Sequence, residues 1–286
     1  MKKLLISSVF SFALVCCALD LAVKPLRTNG LKSVSIKDST VRGIGVPGGS
    51  IDFPLPAKEV DMSKFNRAVL TIAPAEGGET PVAEDLRLNL RSAKDKNNQV
   101  ESSGVSGEKP GEVVFRLIDA PADTYLVRLY VDEMRRFNGQ TIALTAVSFT
   151  FDDGAADVGV PLGYARLNNC DKVTQAVRTF GGIPKNTGAA VILTLPAYFK
   201  SEAFQKVEVK LTVIEGTLAP EALELNPRNK SVSKSGYCKE EKDGKYVFTF
   251  KEPFTDPTSL FFYFNRKAAL TGKPVKFRID AIRLMK

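Results

Sequence analysis

The sequence predicts an all-β protein that consists of two tandem antiparallel β-sandwich domains. Apolar and polar residues alternate with a period of two in many short runs, and Gly, Pro, Asn and Asp separate those runs. The pattern of the first half also recurs in the second half, as expected for a duplicated domain. Apolar residues make up 44% of the chain, which is enough for two hydrophobic cores.

The start of the chain predicts an N-terminal signal peptide before the first domain. Met1-Lys2-Lys3 is basic, residues 4–15 are apolar apart from three serines, and Cys16-Cys17-Ala18 supplies small residues for cleavage. The apolar run is too short to cross a bilayer core of ~30 Å. We expect a signal peptide over residues 1–18 and a bacterial protein that is periplasmic, secreted or displayed at the cell surface. Lipidation of Cys17 is the alternative, because the residues around it resemble a lipobox.

Four cysteines are present, and cleavage after Ala18 would leave two of them. An exported chain with one remaining pair predicts a disulfide between Cys170 and Cys238. The alternative is two buried thiols. The chain contains no histidine and no Cys-x-x-Cys pair, so the residues indicate no metal site and no cofactor.

Nine runs account for the predicted strands. They are residues 86–91, 113–117, 125–131 and 142–149 in the first half, and 190–195, 207–214, 246–250, 260–264 and 275–284 in the second. Residues 63–67 and 201–205 each predict one short helical turn before a strand, with Ser63 or Ser201 as its cap.

The same two segments reveal the internal repeat. Each follows a Leu-Pro-Ala tripeptide, at Leu55-Pro56-Ala57 and Leu195-Pro196-Ala197. The period is roughly 135 residues, a common domain size. We predict a first β-sandwich over residues 19–151, a polar linker over 152–157 and a second β-sandwich over 158–286.

Residues 61–70, 86–96 and 275–284 together resemble galactose-binding-like jelly-roll modules, which are common among the carbohydrate-binding domains of bacterial secreted proteins. Each of these segments shows the turns and alternating strands of that family. The resemblance implies a glycan held against aromatic side chains and a structural calcium ion. The chain departs from the family pattern because it contains no tryptophan.

Charge is distributed unevenly between the halves. Residues 19–157 carry a net charge of −3 and residues 158–286 carry +9. A basic second half can attract an acidic polymer through long-range forces that salt weakens. Because we expect export, polysaccharide is the predicted partner and nucleic acid is not. Membrane contact would require the lipid anchor.

Three tyrosines and a group of polar residues are the candidate ligand contacts. Tyr198 and Tyr237 are expected in loops, and Tyr263 is expected on a strand, where it is either an exposed ring or part of the core. In the first half, side chains with amide or guanidinium groups would form a cationic face for carboxylate or sulfate groups if their strands are neighbours; they are Arg87, Asn89, Arg91, Arg116 and Arg128. Ordinary solvent-facing arginines would explain the same alternation.

Catalysis is not expected, because the usual histidine proton shuttle is absent. Adjacent carboxylates at Glu84-Asp85 and Glu240-Glu241 would point to opposite faces of an extended strand and could not act as a pair. The sequence therefore predicts an exported, non-catalytic carbohydrate-binding protein. The alternative is a structural or assembly protein of the cell envelope or extracellular matrix that binds other proteins.

Overall fold

The computed structural model describes residues 18–55, 60–95, 97–153, 158–162, 165–176, 178–230 and 232–286. The predicted signal peptide as far as Cys17 and residues 154–157 of the predicted linker lie outside the described residues. Within them the chain forms 23 strands, all paired in antiparallel fashion, and three short 3₁₀ turns. The predicted all-β class is confirmed.

The first half contains twelve strands in two sheets. The strands are β1 (Ala18–Asp20), β2 (Arg27–Asn29), β3 (Lys32–Lys37), β4 (Thr40–Ile44), β5 (Ser50–Phe53), β6 (Arg67–Pro74), β7 (Arg87–Ser92), β8 (Gln99–Ser103), β9 (Val105–Ser106), β10 (Glu112–Arg116), β11 (Thr124–Tyr130) and β12 (Thr141–Asp152). One sheet has the order β3-β4-β12-β6-β10-β9, with β1 also paired to β12, and the other has the order β2-β5-β11-β7-β8. The two sheets pack face to face, since Phe53 and Phe149 meet edge to face at 5.3 Å between ring centres.

The second half contains eleven strands that pair into one continuous sheet. They are β13 (Val158–Gly159), β14 (Ala165–Asn168), β15 (Cys170–Gln175), β16 (Thr179–Pro184), β17 (Ala190–Thr194), β18 (Phe204–Glu215), β19 (Glu224–Arg228), β20 (Gly236–Lys242), β21 (Lys245–Phe254), β22 (Ser259–Tyr263) and β23 (Val275–Met285). Their order is β14-β17-β22-β19-β20-β21-β18-β23-β16-β15, with β13 paired to β23. Because β20 pairs with both β19 and β21, the sheet folds over at β20 and encloses a core, where Phe248 and Phe262 meet at 6.0 Å.

The two halves match strand for strand. The order β2-β5-β11-β7-β8 corresponds to β14-β17-β22-β19-β20, and β3-β4-β12-β6-β10 corresponds to β15-β16-β23-β18-β21. The predicted internal repeat is thus confirmed. The main difference lies at Gly104, which separates β8 from β9, whereas β20 is continuous. A Cβ atom at Gly104 would come within 2.4 Å of the Ala83 carbonyl oxygen, so this close approach requires glycine.

Of the two predicted serine-capped turns, the first is present with a different cap and the second is absent. The first turn is a 3₁₀ segment over Met62–Lys64, and its cap is Asp61, which accepts hydrogen bonds from the backbone N–H and the hydroxyl of Ser63. The second segment is extended: the Ser201 hydroxyl accepts the backbone N–H of Asp256, and the Ser201 N–H donates to the Asp256 carboxylate, in the segment before β22. The other 3₁₀ segments are Ala83–Asp85 and Pro220–Ala222. Each described helical segment is three residues long, far below the length that a membrane span needs.

The predicted disulfide between Cys170 and Cys238 is not formed. Cys170 lies on β15, at one end of the strand order, and Cys238 lies on β20, so four strands separate them. Both side chains are partly buried against the same core. Burial raises the pKa of the Cys170 thiol to about 11, which keeps it protonated at neutral pH.

The halves contact each other through charged and hydroxyl side chains. Arg178 of the second half donates a hydrogen bond of 2.6 Å to the buried carboxylate of Glu84 in the first half. Arg116 on β10 binds Glu202 at 3.0 Å. The hydroxyl oxygens of Tyr198 and Ser103 lie 2.9 Å apart. These contacts orient one half against the other.

Candidate functional site

Each five-stranded layer has one side in the core and one side that points away from it, which we call the outer face. In the first half its side chains are Arg27, Asn29, Ser50, Asp52, Arg87, Asn89, Arg91, Gln99, Glu101, Ser103, Leu126, Arg128 and Tyr130. In the second half they are Arg166, Asn168, Ala190, Ile192, Thr194, Glu224, Asn226, Arg228, Tyr237, Ser259, Phe261 and Tyr263.

A buried aspartate organises the outer face of the first half. Asp52 accepts hydrogen bonds from Arg128 at 2.7 Å, from Arg27 at 2.8 Å and from Asn29 at 3.0 Å. Burial alone would raise the pKa of Asp52, but the hydrogen bonds from Arg128 and Arg27 outweigh it and hold the pKa below its ordinary value. Asp52 therefore stays ionised and neutralises much of the charge around it.

Arg87 forms a second charged cluster on the same face. Its guanidinium lies 2.8 Å from Glu101 and 2.9 Å from Glu133, and it stacks on the ring of Tyr130 at 4.1 Å. Burial would lower the pKa of Arg87, but the charges of Glu133 and Glu101 raise it overall. This guanidinium is committed to partners inside the protein.

The predicted cationic face is therefore wrong in composition and in charge. Arg116 is not part of it, because β10 belongs to the other sheet. Arg87 and Arg128 lie on neighbouring strands as expected, but carboxylates pair with both of them. Alternation places an arginine on a face but does not reveal which acid lies on the next strand.

A polar triad recurs at the same place in both halves. In the first half Arg91 donates to Asn89 at 2.8 Å and to the Tyr130 hydroxyl at 3.2 Å. In the second half the corresponding triad is Arg228, Asn226 and Tyr263, with distances of 2.9 Å for both bonds. The triad ties the strand that carries Asn and Arg to the neighbouring strand that carries Tyr.

An ion pair recurs beside this triad with its charges exchanged. Arg87 and Glu133 of the first half correspond to Glu224 and Arg266 of the second, where the pair lies at 2.7 Å. In both halves the guanidinium of the pair stacks on the triad tyrosine, at 4.1 Å over Tyr130 and at 3.6 Å over Tyr263. Both halves therefore stack a guanidinium on the triad tyrosine, although Arg87 lies on a strand and Arg266 lies in a loop.

The second half differs at the centre of its outer face. Ile192 and Phe261 occupy the positions of Asp52 and Arg128. Arg228 stacks on the Phe261 ring at 3.7 Å, in place of an ion pair. Among the described side chains around these rings, one carboxylate, Glu224, faces three arginines, whereas the first half has three carboxylates against four arginines. The outer face of the second half is therefore the more cationic and the more aromatic of the two.

The three predicted tyrosines have different surroundings. Tyr263 has only 9% of its surface exposed, because Arg266 covers its ring. Tyr198 lies in a turn, as predicted, and its hydroxyl contacts Ser103 and Glu133 of the first half. Tyr237 is on β20 and not in a loop, and 60% of its surface is exposed. Of these three tyrosines, Tyr237 is the one that offers a largely exposed ring on this face.

Several residues of the second outer face were not predicted from the sequence, among them Glu224, Asn226, Arg228, Phe261 and Arg266. The sequence does contain a pattern that points to some of these residues. Leu86-Arg87-Leu88-Asn89-Leu90-Arg91 and Leu223-Glu224-Leu225-Asn226-Pro227-Arg228 share Leu, Leu, Asn and Arg at the same spacing. Aligning the halves on this segment places Asn226 on Asn89 and Arg228 on Arg91, which are two of the three triad residues.

The calcium ion that the resemblance implies has no carboxylate cluster to hold it. Within the ranges that the structure describes, no three acidic or cysteine side chains lie close enough together to bind a metal ion. The acids of the outer faces are bound to arginines instead.

No family model matches the chain, and no curated protein matches it. Among solved structures, it is similar to the tandem CBM32-1 and CBM32-2 domains of Clostridium perfringens ZmpB in complex with GalNAc, with 10% identity, a TM-score of 0.31 and coverage of 91% of this chain and 89% of that one. It is also similar to the CBM22-1-CBM22-2 tandem domain of Paenibacillus barcinonensis Xyn10C, with 10% identity, a TM-score of 0.30 and coverage of 93% and 97%.

Allantoicase from Saccharomyces cerevisiae is another similar structure, with 11% identity, a TM-score of 0.28 and coverage of 93% of both chains. At such TM-scores the overlap in space is loose, so the function of this chain is inferred from its own side chains.

Proposed function

We propose that this protein is a non-catalytic carbohydrate-binding protein, and that an acidic polysaccharide lies on the outer face of its second half beside Tyr237. The observation that carries the proposal is the exposed Tyr237 ring next to a face on which arginines outnumber carboxylates. The proposal has an aromatic part and a charged part.

The aromatic part rests on the position of Tyr237. It lies directly opposite Glu224 on the neighbouring strand, and Glu224 lies opposite Tyr263 on the next. Side chains in such a row are ~5 Å apart. One face of a sugar ring presents C–H groups, which pack well on an exposed aromatic side chain. Tyr237 can therefore support a sugar while its neighbours reach the hydroxyl groups.

The charged part rests on how the arginines are held. Arg228 is fixed by Asn226, by the Tyr263 hydroxyl and by stacking on Phe261. Arg266 is fixed by Glu224 and by stacking on Tyr263. A guanidinium held flat in this way loses little conformational entropy when it binds a carboxylate or sulfate group. Such groups are what distinguish an acidic polysaccharide from a neutral one.

The absence of catalysis is supported by what the buried acids do. Burial, together with the nearby carboxylate of Asp85, raises the pKa of Asp132, as it would for a general acid. Asp132, however, accepts the backbone N–H of Phe137, and its counterpart Asn265 accepts that of Leu270 in the same way. Because an amide serves equally well in the second half, the role of Asp132 is to hold a turn.

We also propose that the protein acts outside the cytoplasm. The basic start and the apolar run of residues 4–15 support this part of the proposal. Polysaccharides of cell walls and extracellular matrices would then be accessible ligands.

Affinity electrophoresis of residues 19–286 in gels that contain neutral, uronic-acid or sulfated polysaccharides tests the proposal. We expect acidic polymers to retard the protein and salt to weaken the effect, because part of the attraction is between charges. Tyr237→Ala should weaken binding about tenfold, as expected when an exposed anchor ring is removed.

Tyr125→Ala is the matched control, since Tyr125 is also exposed but lies on the first half. It should leave retardation unchanged. Folded protein that no polymer retards would overturn carbohydrate binding and direct attention to protein partners. Retardation that Tyr237→Ala does not change would exclude the second outer face as the site.

A further inference from the structure

We infer that the cleft between the two halves is a second saccharide site, which takes a short acidic oligosaccharide and is built by both halves together. This inference rests on the proposed function for the chemical class of the ligand, but it concerns residues that the outer faces do not include, apart from the edge strand β8. Four observations support it: the size of the cleft, the free edge of β8, the side chains around it and the bonds that hold its walls.

The size of the cleft suits a short oligosaccharide. Its volume is about 370 Å³, within the range of roughly 300–1,000 Å³ that is typical of small-molecule sites. The edge strand β8 and Arg116 form the first-half wall, and Tyr198, Phe199 and Lys200 form the second-half wall. Neither half alone encloses the space.

The edge of β8 offers backbone groups to this space. The Asn98 carbonyl and the Gly104 N–H both bond to the β7 side, at 3.0 Å and 2.8 Å. Because the direction alternates along a strand, the peptide groups of Gln99, Glu101 and Ser103 point the other way, into the cleft. In the second half the equivalent strand β20 pairs with β21, so that half has no such free edge.

The side chains of the cleft combine groups that a uronic acid would need. Lys200 is an exposed cation, whereas the charge of Arg116 is already paired with Glu202. Glu101 and Asp119 can accept hydrogen bonds from sugar hydroxyl groups. Tyr198 and Phe199 supply an apolar wall for the C–H face of a ring. A charge-assisted bond from Lys200 would hold the carboxylate of the sugar.

The walls of the cleft are fixed before a ligand arrives. Tyr198 bridges Ser103 at 2.9 Å and Glu133 at 3.2 Å, and Arg116 binds Glu202 at 3.0 Å. Each of these bonds crosses from one half to the other. A site that is held open in this way avoids the entropic cost of ordering its walls on binding.

Titration of ¹⁵N-labelled protein, residues 19–286, with a trisaccharide of galacturonic acid tests the inference by backbone chemical shifts. We expect shifts at Gln99, Ser103, Phe199 and Lys200. Lys200→Ala should raise the apparent Kd obtained from these shifts about tenfold, since one charge-assisted contact is lost. Lys273→Ala is the matched control, because it removes an exposed lysine that does not line the cleft, and it should change nothing there.

Tyr237→Ala separates the two sites. Cleft shifts that survive Tyr237→Ala and weaken with Lys200→Ala support the second site. Shifts confined to Tyr237 and its neighbours overturn the cleft site but leave the proposed function standing. Shifts confined to the cleft support this inference and overturn the assignment of the outer face. Folded protein with no shift in either region overturns both.

Discussion

The outer faces of the two halves share a set of polar contacts and differ in the carboxylates that neutralise their arginines. Both carry the Asn–Arg–Tyr triad and a guanidinium stacked on the tyrosine. In the first half, Asp52 and two glutamates neutralise most of the arginines. In the second half, Ile192 and Phe261 stand where Asp52 and Arg128 stand in the first. The first face therefore has an excess of one arginine over its carboxylates, and the second face has an excess of two among the described side chains.

This difference teaches that a duplicated motif can keep its contacts between strands while the charge around it changes. The triad and the stacked cation orient strands in both halves. Only the residues between them decide whether the face is available. The ion pair behaves in the same way. The positive and negative residues have exchanged positions between the halves, but the pair itself is retained.

The largest expected effect comes from Asp52→Asn in the first half. The change leaves Arg128 without its buried anionic partner, which we expect to cost about 3 kcal/mol of unfolding free energy in urea denaturation. Ile192→Val at the matched position of the second half should cost about 1 kcal/mol, since it removes one buried methyl group. Equal losses at the two positions would break the comparison.

The pH dependence of Asp52→Asn sharpens this test. The pKa of Asp52 is lower in the folded state than its ordinary value of 3.8. Such a group stabilises the protein above its unfolded pKa, and that stability is lost as the pH falls through the folded pKa. The difference between wild type and Asp52→Asn should persist down to about pH 4 and shrink below it. A difference that does not change between neutral and acid pH would mean that Asp52 acts through packing alone.

A double exchange tests whether the ion pair of the second half tolerates either orientation. Glu224→Arg alone places a second cation beside Arg266 and should cost about 2 kcal/mol or more of unfolding free energy. Adding Arg266→Glu restores an opposite-charge pair in the order that the first half uses. We expect the double variant to recover about half of the loss or more in the same denaturation assay. If stability is not recovered, the cation of this pair cannot be moved from the loop position 266 to the strand position 224.

The smallest effect is expected for Asp132→Asn, which copies Asn265 into the first half. The amide oxygen can still accept the N–H of Phe137, and a buried charge is removed. Because the pKa of Asp132 is raised in the folded state, its ionisation costs stability as the pH rises above the ordinary value of 3.8. The variant should unfold at the same temperature as wild type or slightly higher at pH 7. A clear loss of stability would give Asp132 a role that Asn265 does not share.

The fold was largely predictable, whereas the candidate site was predictable only in part. Alternation located β7, β10, β11 and β12 in the first half and β17, β18, β21, β22 and β23 in the second to within a few residues, because burial of one side of a strand dictates that pattern. It did not locate β19, the counterpart of β7. Tyr237 was recognised as a candidate, but its exposure depends on strand β20, which lacks clear alternation. The stacking of Arg228 on Phe261 was not predictable, because that contact joins side chains of different strands.

The sequence by itself determined the β class, the duplication and the lack of a histidine-based catalyst, since each follows from local pattern or composition. The tertiary structure alone decided which charges meet. Asp52 binds Arg27 and Arg128, which are far from it in sequence, because β2, β5 and β11 are neighbours in the sheet. The order of strands likewise keeps Cys170 and Cys238 apart. Alternation specifies the face on which a side chain lies, but only strand order specifies its partner.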